Sequence, residues 1–594
     1  MNPPLADVVA LSAQPRLHGS TSSASTDSDG LKKDDYGSKS EETSLYDGNN
    51  PLALAPRPPP ASAGDSLLRF LRLRKQHAKP DPHAIATIES VFDGPFADEY
   101  APHPSWENLP NFDPSFRWTH AEEARVRRKT DLWIFAPIVL AFFALDIDRF
   151  NLSNATADNL LGDLRLSQSD YNTGNMLSKL GFLVAELPSQ MIGKKIGVDI
   201  WLPMQVVIFS ILSGAQFWMN GRASFFAFRF LIAFFQGGFI PDVLLYLSYY
   251  FPNNEVPIRI AIFFTTNFWA NSFVGFAAVG LLKMRGVLGH AGWRWMFLIE
   301  GLFTLIIGIA LFFLLAPSPS QTKAAWRPNG IFTDREAKIA VMRIIRDEPQ
   351  KATMHNRQPL TLKLLWRSAK DYDLYPMYAL GVIFGLAGVP ISFYLQLSLR
   401  QLGFSTVMTN LLSVPYTALG VVLLLTIVAL SELVNSRAWV AILQNVWYLP
   451  LFVALRFLPD PINPWVYWVL ASLILAAPYA HGLQVSWVSR NAGSVRTRTF
   501  ASAAYNMSVQ TSSIIGSYVY QASDRPRYKA GNTILLIVVF VNVFIMYPGI
   551  WLYYGARNRY KERKWKAMNV DEQKHYLATT TDEGTRRLDF RFIR

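Results

Sequence analysis

The sequence predicts an all-α membrane protein with twelve transmembrane helices in two six-helix bundles. Its 594 residues are 50% hydrophobic and 14% aromatic but only 17% charged, which is too apolar for a soluble protein of this length. Apolar runs of about 20 residues, long enough to cross a bilayer, recur along the chain. A long polar connector separates six runs from the next six, which is typical of two related bundles that share a cleft at the midplane.

The first 130 residues differ in composition from the rest of the chain. Residues 1–130 are rich in Ser, Pro, Asp, Gly and Lys and lack sustained apolar periodicity, a composition typical of disorder. They also lack the charged leader, short apolar segment and cleavage site of a secretory signal peptide. We therefore expect a disordered cytoplasmic tail and a first span that serves as the insertion signal.

Twelve apolar spans, numbered here in chain order, define the two predicted bundles. The N-terminal bundle is predicted at 131–316 and the C-terminal bundle at 374–555, with a cytoplasmic connector at 317–373 and a cytoplasmic tail at 556–594. Spans one to six are predicted at 132–156, 171–192, 201–218, 224–251, 258–282 and 293–315. Spans seven to twelve are predicted at 374–399, 406–430, 439–458, 465–487, 499–520 and 533–554.

Lysine and arginine residues predict the orientation of the chain in the membrane. They cluster close to span ends at 125–129, 194–195, 496–498 and 557–566. Under the positive-inside rule, these clusters place both termini in the cytoplasm. The formal net charge of +13 arises in such loops and tails rather than on a soluble basic domain, so we expect no nucleic-acid partner.

The connector contains one helix signal. Thr333 and Glu336 have the spacing of a capping box, apolar residues follow at helical positions, and Pro349 ends the pattern. We expect this helix to lie across the cytoplasmic face.

Three ionisable side chains stand at the end of span one, in the sequence FFALDIDRFNLSNA (142–155). A charge at membrane depth is costly, so Asp146, Asp148 and Arg149 are expected to face a bundle interior or a watery cavity. Asp146 and Arg149 are three residues apart and can neutralise one another, whereas Asp148 projects elsewhere, with Asn151 at the matching spacing. The alternative is that all three have reached the headgroup region and are solvated.

Span four carries polar residues around a predicted interruption of its helix. Gln236 and Asp242 flank Gly237, Gly238 and Pro241 in the sequence RFLIAFFQGGFIPD (229–242). Small residues allow close helix approach and proline frees a carbonyl, so the interruption suits the wall of a cavity. Asp242 has a structural alternative, in which it pairs with a basic residue of a neighbouring helix and never meets substrate.

Polar residues recur at helical spacing in four other spans. They are Asn267 and Asn271 in span five, Ser392 and Gln396 in span seven, His481 and Gln484 in span ten, and Ser502, Asn506 and Gln510 in span eleven. Each set shares one helix face, so together they predict a polar cleft. Any single residue could serve only as a hydrogen bond between helices. His481 is the only histidine deep in a span and could titrate near neutral pH.

Sequence signatures of enzymes are missing from the polar segments. We find no Gly-rich phosphate loop, HExxH zinc motif or nucleophile elbow. The chain also has no cysteine, which excludes thiol catalysis and thiolate metal sites. We therefore expect no enzymatic activity, no cofactor and no metal.

Eight motifs carry a family resemblance. They are LDIDRFNLSNA (145–155), DYNTGNM (170–176), ELPSQMIGKKIG (186–197), RFLIAFFQGGFIPD (229–242), GWRWMFLIEG (292–301), SWVSRNAG (486–493), PRYKAGN (526–532) and DEGTRRLDFRF (582–592). In these motifs the chain resembles the fungal anion:cation symporter family of the major facilitator superfamily, especially its allantoate-permease-like branch. The resemblance implies the major facilitator fold and import of small organic anions across the plasma membrane, commonly with protons. Such anions include allantoate, ureidosuccinate, nicotinate, pantothenate, biotin and sulfur-containing anions.

The resemblance also implies roles for single residues. Arg149 matches the family arginine thought to attract the negative group of the substrate, and Asp148 matches the acidic residue beside it. The chain departs from the family at Gln236, where relatives often have a glutamate that carries the proton. Glutamine cannot ionise, so either Asp146, Asp148 or Asp242 carries the proton, or transport is facilitated rather than driven by protons.

The sequence-based prediction is therefore a monomeric secondary active transporter that works by alternating access in the lipid bilayer, with a small organic anion and protons as partners. The predicted substrate-binding residues are Arg149, Gln236, Asn267, Asn271, Gln396, His481, Gln484, Asn506 and Gln510, and the predicted proton-coupling residues are Asp146, Asp148 and Asp242. An exporter and a non-transporting solute sensor remain as alternatives. Span five, FFTTNFWANSFVGFAAVG, lacks the proline of the Gly-Pro-rich motif found in many exchangers, which weighs against export.

Overall fold

The structure is a computed structural model that describes most of the chain from residue 81 onward. The described residues are 81–93, 101–104, 106–252, 255–352, 369–434, 436–459, 461–492, 495–525, 528–580, 584–588 and 590–594, together with 54 and 68. These residues form helices and contain no strand, only the isolated bridges 85–119 and 324–327. The predicted all-α class is confirmed.

The N-terminal half has six spans close to the predicted positions. Their helices are Ala136–Ala155 (span one), Gln168–Ile196 (two), Val198–Ala215 (three), Arg222–Gln236 with Phe239–Ser248 (four), Val256–Leu281 (five) and Gly292–Leu314 (six). Span two begins at a capping box between Ser167 and Asp170 and ends at Gly197, whose φ of 110° is a conformation that favours glycine.

The C-terminal half repeats the arrangement with more interrupted helices. They are Tyr375–Phe384 with Val389–Gln401 (span seven), Thr406–Leu411 with Pro415–Val434 (eight), Arg437–Ala441 with Leu443–Arg456 (nine), Pro464–Leu475 with His481–Asn491 (ten), Val495–Gly516 (eleven) and Lys529–Val541 with Tyr547–Ala567 (twelve). The interruption of span ten, residues 476–480, contains Pro478, which cannot continue a helical hydrogen-bond ladder.

Hydropathy separates three of these spans from the others. Within the described residues, nine helical stretches are long and apolar enough to cross a membrane, and spans two, ten and eleven are not among them. Span ten is interrupted, whereas spans two and eleven, with 29 and 22 residues, are long enough but more polar. Spans two and eleven pack against each other where the two halves meet.

The connector helix lies at one end of the bundles, called here the connector end. It runs Asp334–Asp347 and starts at Thr333 with the predicted capping box. It packs against a helix that precedes span one, His120–Thr130. Lys129 Nζ is 2.6 Å from Glu336 Oε2, and Arg335 Nε is 2.7 Å from Glu122 Oε1.

Residues 81–119, which the sequence analysis assigns to a disordered tail, are folded against the connector helix in the part that the structure describes. Phe92, Trp106 and Trp118 are buried. The fully buried Arg346 of the connector helix binds both carboxylate oxygens of Asp93 at 2.6 and 3.0 Å. A few isolated aromatic residues have no periodicity, so the sequence pattern did not reveal this layer. Residues 120–130 of the predicted tail are also folded, as the helix His120–Thr130. All other residues of the predicted tail, apart from 54 and 68, lie outside the described residues.

At the opposite end, called here the distal end, the two halves are joined by hydrogen bonds. Gln168 and Asn172 of span two donate to the carbonyl oxygen of Tyr520 at 3.1 and 3.0 Å. The Tyr171 hydroxyl donates to the carbonyl of Phe393 at 2.8 Å, and the Tyr394 hydroxyl donates to Asn172 Oδ1. We call these contacts the distal latch.

Candidate substrate cleft

Arg149 lies where spans one, two and four meet. Its Nη1 is 3.4 Å from Asp146 Oδ1, and its Nε is 3.4 Å from Gln236 Oε1. Its guanidinium lies over the ring of Phe182, 5.0 Å from the ring centroid. The Arg149 side chain is 27% exposed, whereas that of Asp146 is fully buried. The structure thus brings together Asp146, Arg149 and Gln236, with the arginine reaching an accessible space.

Glycines let spans two and four cross closely enough to form this site. A Cβ on Gly238 would overlap the side chain of Ser189, and a Cβ on Gly181 would lie 2.6 Å from the carbonyl oxygen of Phe230. Small residues at helix crossings permit such close backbone approach. The interruption at Gly237 and Gly238 therefore holds Gln236, the last residue of its helix, against span two.

Lys179 of span two belongs to the same group, although the sequence analysis did not single it out. It interacts electrostatically with Arg149, Arg229 and Asp146. The signal that pointed to span one, a charge inside an apolar run, is equally present here. We call Asp146, Arg149, Lys179, Gln236 and Asn267 the cleft cluster, since Asn267 of span five lies beside the Asp146 carboxylate.

The C-terminal half contributes Tyr479 to the edge of the cleft cluster. Tyr479 lies in the interruption of span ten and interacts electrostatically with Arg149 and Asp146. Helix interruptions that line a cavity are a recurring feature of transporter sites. The cleft cluster therefore lies at the junction of the two halves, where a change in their relative position would alter its surroundings.

A second polar group involves spans two, ten and eleven. The buried Glu186 lies beside Asn506, which also lies beside His481. His481 stacks on Tyr505 with ring centroids 5.7 Å apart and lies at the same centroid distance from Tyr479. Tyr479 thus connects this group to the cleft cluster. Glu186 was missed in the sequence, although it too is a charge inside a predicted span.

Four predicted binding residues lie elsewhere or have other partners. Gln484 is inside the C-terminal half, where it donates to the Tyr547 hydroxyl at 2.5 Å and accepts from the Tyr505 hydroxyl. Asn271 donates to the Tyr416 hydroxyl at 2.5 Å, across the junction of spans five and eight. Gln396 is buried in span seven and Gln510 is half-buried in span eleven, and their binding roles remain predictions.

Asp148 faces away from Arg149. The Ser213 hydroxyl of span three donates to Asp148 Oδ1 at 2.7 Å, and Glu300 of span six interacts with it electrostatically. Consecutive helical residues are rotated by about 100°, so Asp148 points into the N-terminal half while Arg149 points to the junction. Asp146 and Asp148 are both buried, and neither occupies the solvated headgroup position that the sequence left open.

Asp242 belongs to a separate network that joins spans two, three and four. Ser189 Oγ and Gln205 Nε2 donate to Asp242 Oδ2 at 3.1 and 3.3 Å, and Lys194 lies within electrostatic range. The Trp201 indole N–H donates to the same serine hydroxyl at 2.8 Å. These contacts link Asp242 to neighbouring helices, with Lys194 as the nearby basic residue, and a role of Asp242 in proton coupling stays a prediction.

The cleft cluster has the chemistry of an anion site. It contains two cationic side chains, one carboxylate and two amides. Guanidinium and ammonium groups bind carboxylate, sulfonate and phosphate oxygens by charge-assisted hydrogen bonds. Among the described residues, no group of three His, Cys, Asp or Glu side chains is placed to hold a metal ion.

Comparisons with known proteins agree with this architecture. A family model described as Major Facilitator Superfamily matches residues 138–517. The uncharacterized transporter YIL166C of Saccharomyces cerevisiae is 38% identical over 516 residues, which cover 85% of this chain and 95% of that protein. An Agrobacterium vitis protein named "Putative tartrate transporter" is 35% identical over 201 residues, which cover 34% of this chain and 46% of that protein.

A solved structure shows the same fold. It is a bacterial homologue of the human lysosomal transporter Spinster, in an inward-facing and unoccupied conformation. The TM-score is 0.52 at 14% identity, and the match covers 73% of this chain and 98% of that one. The family model matches more than half of the chain, and the similarity to YIL166C extends over nearly the whole of that protein. The chain belongs to the Major Facilitator Superfamily and is a multi-pass membrane transporter.

Proposed function

We propose that this protein is a secondary active transporter that imports a small organic anion together with protons across the plasma membrane. The anion binds at the cleft cluster, and the two halves expose that cluster to each side of the membrane in turn. Both termini lie in the cytoplasm, which agrees with the lysines and arginines at the span ends. The monomer contains the whole pathway, since the cleft lies between its own two halves.

Two cations that share one carboxylate carry this proposal. Lys179 is repelled by Arg149 and also by Arg229, and Asp146 can neutralise only one of the two cations that it lies between. An anion that binds between the two cations replaces this repulsion with two attractive contacts. Tartrate, in the name of the Agrobacterium vitis relative, is an organic anion with two carboxylates.

The contacts between the halves support alternating access. Transporters of this architecture work by rocking one bundle against the other around a central site. The distal latch joins the halves through spans two, seven and eleven, so the two halves are held together at the distal end in this conformation. In the proposed orientation the distal end faces the outside of the cell, and the latch opens to admit the anion.

Proton coupling in this proposal depends on aspartates near Arg149. Gln236 occupies the place where a carboxylate would be expected from the family resemblance, and it accepts a hydrogen bond from Arg149 without being able to ionise. Asp146 is bound to the same arginine. Asp146 therefore fixes the position of Arg149 for the substrate, and Asp148 is the other carboxylate of span one that could carry the coupling proton.

The test is uptake by the purified full-length protein in liposomes, with labelled tartrate, nicotinate and allantoate as probes. We expect uptake of at least one probe, and we expect Arg149→Ala to abolish it because the anion loses its main partner. Arg149→Lys keeps the charge and should retain partial uptake. Arg400→Ala is the control, because Arg400 binds the carbonyl of Phe404 outside the cleft. Full uptake by Arg149→Ala would place the anion elsewhere.

A further inference from the structure

Two buried carboxylates lie within electrostatic range of each other inside the N-terminal half, on the side of span one that is turned away from the cleft. Asp148 of span one is 1% exposed and Glu300 of span six is 2% exposed. The two carboxylates interact electrostatically. Within the described part of the chain, no lysine, arginine or histidine is among the groups that act on either one.

The hydrogen bonds around this pair are incomplete. Ser213 donates to one oxygen of Asp148, but the other Asp148 oxygen and both Glu300 oxygens have no partner among the described residues. Asn151 is fully buried and lies close enough to Glu300 to donate to it, but neither atom of its amide makes a bond of normal geometry. Buried polar atoms are almost always paired, so Asp148, Asn151 and Glu300 have unused bonding capacity at one place.

Close packing of spans three and six explains why Glu300 points at this place. A Cβ on Gly301 would overlap the backbone of Gly214 and would lie 3.1 Å from the carbonyl oxygen of Ser210. The two helices therefore touch at backbone level at Gly301. The neighbouring Glu300 then lies next to the face of span three that carries Ser213, and across from Asp148 of span one.

Two ionised carboxylates are not stable side by side in such surroundings. Transfer of a charge into a low-dielectric interior without a counter-charge costs several kcal/mol, and the mutual repulsion of two anions adds to that cost. One proton removes a charge and supplies an O–H donor. The protonated carboxyl then donates to the remaining carboxylate, which is the arrangement found where two carboxyl groups share one site.

We propose that Asp148 and Glu300 share a single proton, and that this pair is the proton-binding site that couples to transport. The inference rests on the proposed function. Span one then carries the anion site on one face, at Arg149, and the proton site on the other, at Asp148. A rotation or tilt of this one helix changes both sites at once. The charged neighbours along span one, Asp146 and Arg149, face the cleft and pair with each other, so they do not neutralise the carboxylate pair.

The proton can be observed directly, without knowledge of the substrate. Infrared spectra of the purified full-length protein in water and in heavy water, taken near neutral pH, should show the C=O stretch of a protonated carboxyl group. Glu300→Gln and Asp148→Asn should each remove or shift the same band, because only one proton is shared and the remaining carboxyl group has lost its partner. Asp242→Asn is the matched control, because Asp242 is a buried aspartate of the same half and one of its oxygens accepts hydrogen bonds from Ser189 and Gln205. This variant should leave the band in place.

Three results would overturn the proposal. The first is a wild-type spectrum without a protonated carboxyl band, which needs no variant and therefore no assumption about folding. The second is that Glu300→Gln and Asp148→Asn remove different bands, which would mean two independent protons. The third is that sodium ions shift the band at constant pH, which would make the pair a sodium site.

A transport measurement links the pair to coupling and separates the two proposals. In liposomes, Glu300→Gln should lose accumulation of labelled tartrate or another transported probe driven by a pH gradient, while exchange of internal for external probe continues. Retained pH-driven accumulation would contradict a coupling role. If the wild-type protein transports none of the probes, the proposed function fails, whereas the infrared result on the shared proton stands by itself.

Discussion

Arg149 and Lys179 define the site at the scale of single residues, and they differ in their partners. Arg149 is held by Asp146 and Gln236, so its position is fixed before an anion arrives. Lys179 interacts with two arginines and with the same Asp146, so its charge is the less compensated one. A ligand with one negative charge needs only Arg149, whereas a ligand with two negative charges uses both cations.

Lys179→Gln should therefore reduce affinity for dianions more than for monoanions. A hydrogen bond to a charged group contributes about 1.5–3 kcal/mol, so we expect a loss of roughly ten- to a hundredfold for tartrate and little change for nicotinate. Competition for uptake by the two anions measures the ratio. Lys195→Gln, an exposed lysine at the end of the same helix, is the control. An equal loss of affinity for both anions would show that Lys179 does not bind the second negative charge of a dianion.

The charged residues show which contacts of single side chains can be predicted from the sequence. The spacing of Asp146 and Arg149 on one helix predicted their contact, because the partner is on the same helix. Lys179, Glu186 and Glu300 obey the same rule of a charge inside an apolar span and could have been found by it. Which helix each one faces could not have been found, since that depends on how spans cross.

Interruptions and caps decide the arrangement at the scale of elements. The capping box at Thr333 and the interruption at Gly237 and Gly238 were both readable from local residue types, because caps and small residues act locally. The interruption of span ten at 476–480 was not predicted, although it places Tyr479 beside the cleft cluster. Its apolar composition resembles that of an uninterrupted span, and the sequence indicates only one proline there.

The folded layer at the connector end has one ionic contact with a clear pH dependence. Burial acts to raise the pKa of Asp93, but the hydrogen bond and the charge of Arg346 lower it by more than burial raises it. The pKa of Asp93 in the folded protein therefore lies below the ordinary value of 3.8. A lowered folded pKa means that ionised Asp93 stabilises the layer fully above pH 3.8 and that this stabilisation is lost as the pH falls through the folded pKa.

Asp93→Asn should loosen residues 81–119 at neutral pH and remove this acid transition. The fully buried Arg346 loses its carboxylate partner but keeps the carbonyl oxygens of Ile88 and Pro114, so we expect a loss of about 2–3 kcal/mol in local stability, less than for an isolated buried charge. Hydrogen exchange of residues 81–93 and 106–119 measures it. Asp113→Asn is the control, because the Asp113–Lys338 pair is 3.8 Å apart and only half-buried, and the asparagine oxygen can still accept from Ser115. Equal exchange in both variants would contradict a structural role for Asp93.

At the scale of the whole molecule, the main feature is the set of contacts between its two halves. The division into six and six spans followed from the polar connector, and the fold confirms it. The contacts between the halves did not follow from the sequence, because the hydroxyl of Tyr394 and the amide of Asn172 belong to different bundles, and no periodicity relates them. The distal latch is nevertheless what a transport cycle must break, since the proposed path to the cleft cluster passes through it.

Tyr394→Phe should shift the protein towards conformations that are open at the distal end. The Tyr394 hydroxyl donates to Asn172 Oδ1 inside the closed latch. In Tyr394→Phe this buried oxygen loses its donor in the closed latch, whereas water can reach it when the latch is open, so only the closed conformation is destabilised. Removal of a hydrogen bond with one partner left buried costs about 1–3 kcal/mol, so the closed population should fall by roughly five- to a hundredfold relative to the open one.

The chain has no cysteine, so spin labels can be attached only where cysteines are introduced. Labels at Asn220→Cys and Gln401→Cys, exposed distal positions in the two halves, report the separation of the halves by electron–electron double resonance. Tyr375→Phe is the control, because that exposed hydroxyl bonds to the carbonyl of Ala369 at the connector end. A longer label separation in Tyr394→Phe but not in Tyr375→Phe would identify the distal latch as an element of the transport cycle. The same distance distribution in both variants would mean that the Tyr394–Asn172 hydrogen bond contributes nothing to closure of the distal end.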